Sequence, residues 1–177
     1  LEPSSTAYLI PLSFEIKGEL DADCLEYGLN QTVKRHEILR TRLISLDGAP
    51  FQEVVNALPV SIKQIDLSTL STEQQLVMAT EMTSAEANTP IAIDTLPSFR
   101  AVLIKFSDQH WRFLFTVHHI LADAWTMALM LDEIGQHYHY RKAEQPFSLP
   151  VPSIHFGDYA NWQNEQQASA QTQQGMT

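Results

Sequence analysis

Two adjacent histidines and an aspartate are the residues of this chain whose types and spacing best fit chemistry. His118 and His119 stand side by side, and Asp123 follows four residues after the second. An imidazole exchanges protons near neutral pH and also ligates metals, and a carboxylate can orient it or balance its charge. The pattern therefore indicates proton transfer or metal binding, although so short a motif also arises by chance.

The remaining histidines and serines help to choose between these chemistries. The other histidines weighed as metal ligands are His110, His137, His139 and His155. Adjacent strand residues point to opposite faces, and no His-Glu-x-x-His helical spacing occurs, so a metal site is the less favoured alternative. No Gly-x-Ser-x-Gly segment is present to expose a nucleophilic serine. We therefore expect neither a bound metal nor a covalent serine intermediate.

The histidine run lies between a buried strand and a buried helix. Two apolar segments, residues 99–106 and 111–117, predict neighbouring strands in the middle of a sheet. Apolar residues at helical spacing follow over residues 127–138. Alternation along the second strand places His119 on the side of the apolar residues and His118 on the other side. Alternation is unreliable where a strand ends, so both orientations stay open at this stage.

Periodicity elsewhere completes the predicted fold. Alternating or β-rich segments predict further strands, at residues 8–16, 41–46, 51–55 and 60–65. Helical spacing predicts further helices, at about residues 21–37, 71–88 and 156–162. The Asp47-Gly48 turn predicts a hairpin among the strands that follow residue 41. Asp21 is a predicted N-cap, and Ser71 with Gln74 is a predicted capping box.

Composition argues against several classes of partner. The chain has 177 residues, 44% of them hydrophobic, which is enough to bury the core of one domain. Its formal charge of −10 and its lack of a basic cluster argue against binding to nucleic acid or to an anionic membrane surface. No apolar stretch approaches the roughly 18 residues of a membrane span. The lone Cys24 suits a reducing compartment, so we predict a cytoplasmic protein.

Four segments resemble the motifs of one protein family. Residues 118–126, His-His-Ile-Leu-Ala-Asp-Ala-Trp-Thr, are similar to the active-site signature of the condensation domains of nonribosomal peptide synthetases, members of the chloramphenicol acetyltransferase-like superfamily. Ala124 stands where this signature usually has glycine. Three more segments are similar to further family motifs and occur in the family order: residues 35–41, 97–101 and 158–163. The resemblance covers most of the chain.

The resemblance implies a fold. Family members are V-shaped pairs of similar lobes with a substrate tunnel between them, and this chain resembles the first lobe. We therefore predict an α/β (α+β) two-layer sandwich, a mixed sheet with helices, over residues 1–162. Residues 163–177 are predicted to be a polar, Gln-rich tail or a linker toward the C-terminal lobe.

The resemblance also implies a reaction and its partners. Family members form a peptide bond between an acyl or peptidyl thioester on one carrier protein and an aminoacyl thioester on another. Both substrates arrive on 4′-phosphopantetheine arms, and no cofactor binds directly. The implied partners are donor and acceptor peptidyl carrier proteins, the C-terminal lobe and an adjacent adenylation domain. An isolated lobe is expected to be a poor catalyst.

The resemblance assigns roles to the residues of the signature. His119 is expected to face the reacting atoms, with His118 as its buried support. Asp123 is expected to form a structural ion pair with an arginine of residues 35–42, for which we choose Arg40. The backbone N–H of Ala124 is expected near the oxyanion.

Trp125 and the wider superfamily leave alternatives open. Trp125 is a candidate for the substrate tunnel, although its place before a helical apolar stripe also fits simple packing. Epimerisation domains carry the same signature, but Trp125-Thr126 is more similar to the condensation pattern, and heterocyclisation domains use aspartates instead. Other acyltransferases of the superfamily and a non-catalytic module that docks carrier proteins are the remaining alternatives.

Overall fold

The computed structural model describes residues 5–174, with side chains described as far as residue 167. Within that span the strands are β1 (Leu9–Lys17), β2 (Thr41–Leu46), β3 (Ala49–Val54), β4 (Lys63–Asp66), β5 (Phe99–Ser107) and β6 (His110–His118). The helices are α1 (Ala22–Arg35), a 3-10 turn η1 (Glu37–Arg40), α2 (Thr72–Asn88), α3 (Ala124–Lys142) and α4 (Phe156–Gln174).

A four-stranded mixed sheet is the scaffold, in the order β1-β6-β5-β4. β6 pairs antiparallel with both β1 and β5, and β4 runs parallel to β5. The two strands predicted to be central neighbours, β5 and β6, are confirmed as such. β1 forms one edge of the sheet and contains Pro11, which has no N–H to donate. Because β6 is central, the residues at its end are held by neighbours on both sides.

Helices bury both faces of this sheet. The larger core lies between the sheet and the helices α1 and α3, where Leu29, Phe115 and Met127 are at most 2% exposed. On the opposite face α2 covers a smaller core that includes Ala79 and Ile104. The predicted mixed α/β fold is confirmed, with α2 as a helix on the second face.

Close packing of α1 against α3 fixes the helix that follows the histidine run. At Gly28 of α1 an added Cβ would lie 2.6 Å from the carbonyl oxygen of Ile134 in α3, so the backbones approach more closely than any other residue allows. α1 begins at the predicted cap, where Asp21 Oδ1 accepts the N–H of Cys24 at 2.9 Å. The contact between the two helices thus sets the position of the first turn of α3.

The β2–β3 hairpin confirms one turn prediction and corrects a strand prediction. Asp47 and Gly48 have φ of 51° and 82°, values typical of a two-residue hairpin turn. The next predicted strand does not join this hairpin, because β4 begins at Lys63 and pairs with β5 instead. Val60 lies in a loop, where its backbone N–H and carbonyl oxygen both bond the Asn30 side-chain amide. The predicted strand start at Val60 is therefore wrong. A β-branched residue that is buried in a loop gives the same sequence signal as a buried strand residue.

The capping box of α2 is confirmed. Ser71 Oγ accepts the N–H of Gln74 at 3.3 Å, and Gln74 Oε1 accepts the N–H of Ser71 at 3.1 Å. α2 ends at Asn88, just before the Thr89-Pro90 pair that disfavours helix.

α4 is longer than predicted. It continues to Gln174, whereas the sequence predicts a helical end near Trp162. Gln, Ala and Glu are good helix formers, so this segment stays helical without an apolar stripe. Residues 175–177 of the predicted tail lie outside the described residues. Among the described helices, none has the length and apolar character that a membrane crossing requires.

Candidate active site

His118 and His119 project to opposite sides at the end of β6. The N–H of His118 donates to the carbonyl oxygen of Ser98 (3.2 Å), and the N–H of His119 donates to that of Tyr8 (2.7 Å). Backbone pairing therefore continues past the last strand residue, and extended geometry turns consecutive side chains to opposite faces. His118 is 7% exposed, whereas His119 is exposed. Of the two orientations that the sequence leaves open, the chain adopts the one with His119 outward.

His118 orders the turn that follows the strand. Its Nδ1 accepts the N–H of Ile120 (3.1 Å), and its carbonyl oxygen accepts the N–H of Leu121 (2.9 Å). Burial, together with the charge of nearby His119, lowers the pKa of His118. The neutral ring, which can accept at Nδ1, is therefore favoured. This environment fits a supporting residue.

His119 opens into a cleft of about 480 Å³. One wall comes from the junction of α1 and η1, including His36 and Glu37, and the other from the segment before α4, including Pro152 and Phe156. Among the residues whose side chains are described, none forms a hydrogen bond with the ring of His119. Both ring nitrogens are therefore accessible to a group that enters the cleft.

Asp123 caps α3 and does not pair with Arg40, so the predicted ion pair is wrong. Its Oδ1 accepts the N–H and the hydroxyl of Thr126, at 2.8 and 2.7 Å, and these bonds lower the pKa of the carboxyl. The side chain is exposed rather than buried. Arg40 instead donates to Glu37 (3.3 Å) and to the carbonyl oxygen of Val55. The Asp123 carboxylate therefore caps the start of α3, while the position of Arg40 in η1 directs its side chain toward the end of β3.

Ala124 and Trp125 begin α3 between Asp123 and Thr126, the two residues of this turn that line the cleft. The first N–H groups of a helix have no partner within it, and among the described residues none accepts from the N–H of Ala124. The partial positive charge at the N-terminus of the helix strengthens the hydrogen bond that this N–H can donate to an anion. Ala124 has no positive φ, so its methyl group imposes no backbone strain here. Trp125 is 75% exposed, so the packing interpretation of this residue is wrong.

Comparison with known proteins identifies the family. A model of the condensation domain matches residues 1–176. The chain belongs to the condensation-domain family. One of the linear gramicidin synthase proteins of Brevibacillus parabrevis is 35% identical over 166 residues, which are 93% of this chain and 3% of that protein. The chain therefore spans a small part of the curated relatives it matches.

Solved structures agree with this membership. The starter condensation domain of rhizomide synthetase superposes with a TM-score of 0.83 at 21% identity, over 97% of this chain and 43% of that one. The first condensation domain of the calcium-dependent antibiotic synthetase, in complex with a substrate analogue, gives a TM-score of 0.73 at 25% identity, over 88% and 36%. This condensation-domain chain thus corresponds to less than half of each solved chain.

The sequence does not predict a cluster of charged side chains at the cleft wall of this condensation-domain chain. Glu133 of α3 pairs through Oε1 with Arg35 Nη1 (2.7 Å) and through Oε2 with His36 Nε2 (2.7 Å). Arg35 also donates to the carbonyl oxygen of Pro150 (2.9 Å), which ties α1 to the segment that forms the other cleft wall. Arg35-His36 lies in a motif with family resemblance, but nothing local in the sequence pairs it with Glu133, about a hundred residues later.

The other histidines that were weighed as metal ligands, under the less favoured alternative, do not converge. His110 pairs with Glu15 on the sheet, and His137 is buried between Tyr27 and Phe147. Among the residues described, no group of three or more His, Cys, Asp or Glu side chains has a metal-binding arrangement.

Proposed function

We propose that this chain supplies the His119 wall of an active site that forms a peptide bond. The observation that supports this is an exposed imidazole, without a hydrogen-bond partner among the described residues, in a cleft that Asp123 and Thr126 at the start of α3 also line. In the proposed reaction the amine of an aminoacyl thioester attacks the carbonyl carbon of an acyl or peptidyl thioester. His119 holds the amine and accepts its proton as the tetrahedral intermediate forms. The N–H of Ala124 donates to the oxyanion. The intermediate then collapses: the carbon–sulfur bond of the donor thioester breaks, the amide forms, and the donor arm leaves as a thiol that takes up the proton held by His119.

The energies of the individual effects indicate that positioning of the substrates contributes more to the rate than the base strength of His119. An ordinary α-amine has a pKa of about 7.7–8.0, so freeing it at neutral pH costs only about 1 kcal/mol. One donor aimed at the oxyanion is worth about 2.7–4 kcal/mol. Holding two tethered substrates in register contributes about 7–11 kcal/mol. His119 therefore acts mainly on a substrate that is already well placed.

The partners follow from the open cleft and from the family. We propose that donor and acceptor carrier proteins deliver both substrates on 4′-phosphopantetheine arms, with an adenylation domain nearby. A second lobe closes the cleft, and Trp125 lies on the wall of the resulting tunnel. The chain without that lobe is expected to condense substrates poorly, since half of the positioning surface is absent.

The test uses the full-length protein that contains this chain, with both carrier proteins loaded. His119→Ala is expected to slow amide formation by about 10²- to 10⁴-fold, as for loss of a general base. His139→Ala, at an exposed position near the far end of α3, is the control and is expected to keep the rate. Product is quantified by mass spectrometry in single turnovers. An unchanged rate in His119→Ala would refute the proposal.

The same assay separates the alternatives. An epimerisation domain would instead release the other stereoisomer of a single loaded substrate and incorporate solvent deuterium at its α-carbon. A docking module would bind both carriers without any amide product from the unmodified protein.

A further inference from the structure

His36 is fixed at the cleft wall through its backbone and through its ring. Its N–H donates to the carbonyl oxygen of Thr32 (3.0 Å) at the end of α1, and its own carbonyl oxygen accepts the N–H of Leu39 (3.1 Å) in η1. Its Nε2 lies 2.7 Å from Glu133 Oε2. The side chain remains 29% exposed, and the residue lines the same cleft as His119. A group held in this way is already oriented before any substrate arrives.

Glu133 determines which ring nitrogen of His36 is available. An ionised carboxylate only accepts hydrogen bonds, so the hydrogen between the two groups belongs to Nε2. Arg35 Nη1 donates to the other carboxylate oxygen and also lies 3.0 Å from Nε2. A guanidinium can only donate, so Nε2 cannot accept from Arg35 and donate to Glu133 at once, and the shorter approach of Glu133 Oε2, at 2.7 Å, assigns the hydrogen to Nε2. Among the described residues, none contacts Nδ1 of His36 through a hydrogen bond. A neutral ring with its hydrogen on Nε2 therefore offers a lone pair at Nδ1.

The cleft matches an amine. Asp123, Glu37 and Arg35 also line it. Arg35 is paired with Glu133 and Glu37 with Arg40, so Asp123 is the lining carboxylate that has no cationic partner among the described residues. Such a lining attracts a positively charged group, and most α-amines are protonated at neutral pH. An ammonium or amine has several N–H donors, more than His119 alone can accept. A second acceptor in the same cleft would hold the nitrogen in one orientation.

We propose that His36 Nδ1 accepts a hydrogen bond from the acceptor amine and, together with His119, orients it for attack. Glu133 is a positioning residue that acts through His36. This inference rests on the proposed function, because it assigns the amine of that reaction to the cleft. It assigns His36 to binding of the acceptor substrate and His119 to the chemical step.

A matched pair of substitutions tests the assignment in the full-length protein, with aminoacyl and acyl pantetheine thioesters as acceptor and donor. His36→Gln retains a nitrogen near the Nε2 position but no acceptor near Nδ1, whereas His36→Asn retains an oxygen near Nδ1. His36→Gln is expected to raise the acceptor KM about 10- to 100-fold, as for loss of a hydrogen bond to a charged group. His36→Asn is expected to stay within about threefold of the unmodified protein, since its acceptor is kept.

Further measurements complete the design. The donor KM is expected to stay unchanged in both variants. Glu133→Gln keeps an oxygen that can accept from Nε2, and is expected to change the acceptor KM less than Glu133→Ala does. His110→Ala removes another imidazole paired with a glutamate, Glu15, outside the cleft, and is expected to leave both KM values unchanged. Thermal unfolding confirms that each variant is folded.

An unchanged acceptor KM in His36→Gln, or equal increases in donor and acceptor KM, would overturn the assignment. A larger defect in His36→Asn than in His36→Gln would overturn it as well. Failure of the proposed function is distinct, because it appears as a normal rate in His119→Ala whatever the result at His36.

Discussion

His118 and His119 are neighbours in the chain, but their rings have different environments. The Nδ1 of His118 already accepts the N–H of Ile120 inside the fold, and the ring of His119 faces the cleft without a partner among the described residues. Removing the buried ring leaves a backbone N–H without its acceptor, which costs stability. Removing the exposed ring breaks no hydrogen bond among the described residues and changes mainly what the cleft offers to a substrate. Substitutions at the two positions should therefore be detected by different measurements.

Stability is expected to fall in acid partly because of His118. Burial and the charge of nearby His119 lower its pKa, so the folded ring stays neutral where the unfolded ring, with a pKa of about 6.5, takes up a proton. The contribution of His118 is therefore complete above pH 6.5 and is lost as the pH falls below that value. His118→Asn keeps an acceptor for Ile120 but does not titrate. Its free energy of unfolding should decline less between pH 7 and pH 5 than that of the unmodified chain.

Urea unfolding at several pH values measures this difference. Burial also lowers the pKa of His137, so some slope of the same sign should remain in the variant. His139→Asn, at an exposed position, is the control. Identical slopes for His118→Asn and the unmodified chain would contradict the expectation.

Individual contacts were the least predictable part of the site. Strand geometry predicts that the two imidazoles diverge, and only the burial around them decides which faces outward. The choice of Arg40 as partner of Asp123 is wrong because Thr126 satisfies the carboxylate locally at the start of α3. An aspartate directly before a helical segment is the same signal that predicts the cap at Asp21, so this role could have been predicted from the sequence. The Glu133 cluster was missed for the converse reason, since its partners come from distant parts of the chain.

At the scale of elements, local signals decided what could be predicted. The cap at Asp21, the capping box at Ser71 and the turn at Gly48 each act over a few residues, and all three are confirmed. The pairing of β4 with β5 joins segments about 40 residues apart, so composition near Val60 carried no information about it. The approach of α1 to α3 at Gly28 depends likewise on a contact between distant residues.

Gly28→Ala is expected to destabilise the chain by about 1–3 kcal/mol, the range for overpacking of a core. Its Cβ would meet the backbone oxygen of Ile134 at 2.6 Å, and a backbone atom cannot turn aside as a flexible side chain can. Gly135→Ala, in the partner helix, is the matched control because a Cβ there would meet nothing within 4 Å. The control should stabilise by about 0.5–1 kcal/mol, since alanine is the better helix former. Chemical denaturation compares the two, and equal effects would contradict the role of Gly28.

At the scale of the whole molecule, large apolar side chains remain exposed around the cleft. These residues are between 48% and 75% exposed: Trp125, Ile154, Phe156, Tyr159 and Trp162. Ile154 and Phe156 line the cleft itself, and exposed apolar groups in a cleft are typical of an interaction surface. Together with the share of the solved condensation domains that this chain matches, they support our proposal that a second lobe covers this region.

Hydrogen exchange is expected to detect the second lobe that we propose to cover this region. In the full-length protein, amides of residues 119–126 and 151–162 should exchange more slowly than in the 177-residue chain, because the second lobe restricts local opening. Peptides around Leu76, which is 62% exposed on α2 on the other face of the sheet, are the control and should exchange alike in both proteins. Equal exchange at all of these positions would exclude a lobe that packs on the cleft.

Pro11 has a consequence for how the protein behaves at high concentration. An outer strand of a sheet offers a row of amides and carbonyls that a strand from another molecule can join. A proline interrupts that row, because its ring nitrogen cannot donate. β1 thus discourages self-association along its outer border, and Tyr8, directly before β1, holds the backbone of His119 through its carbonyl oxygen.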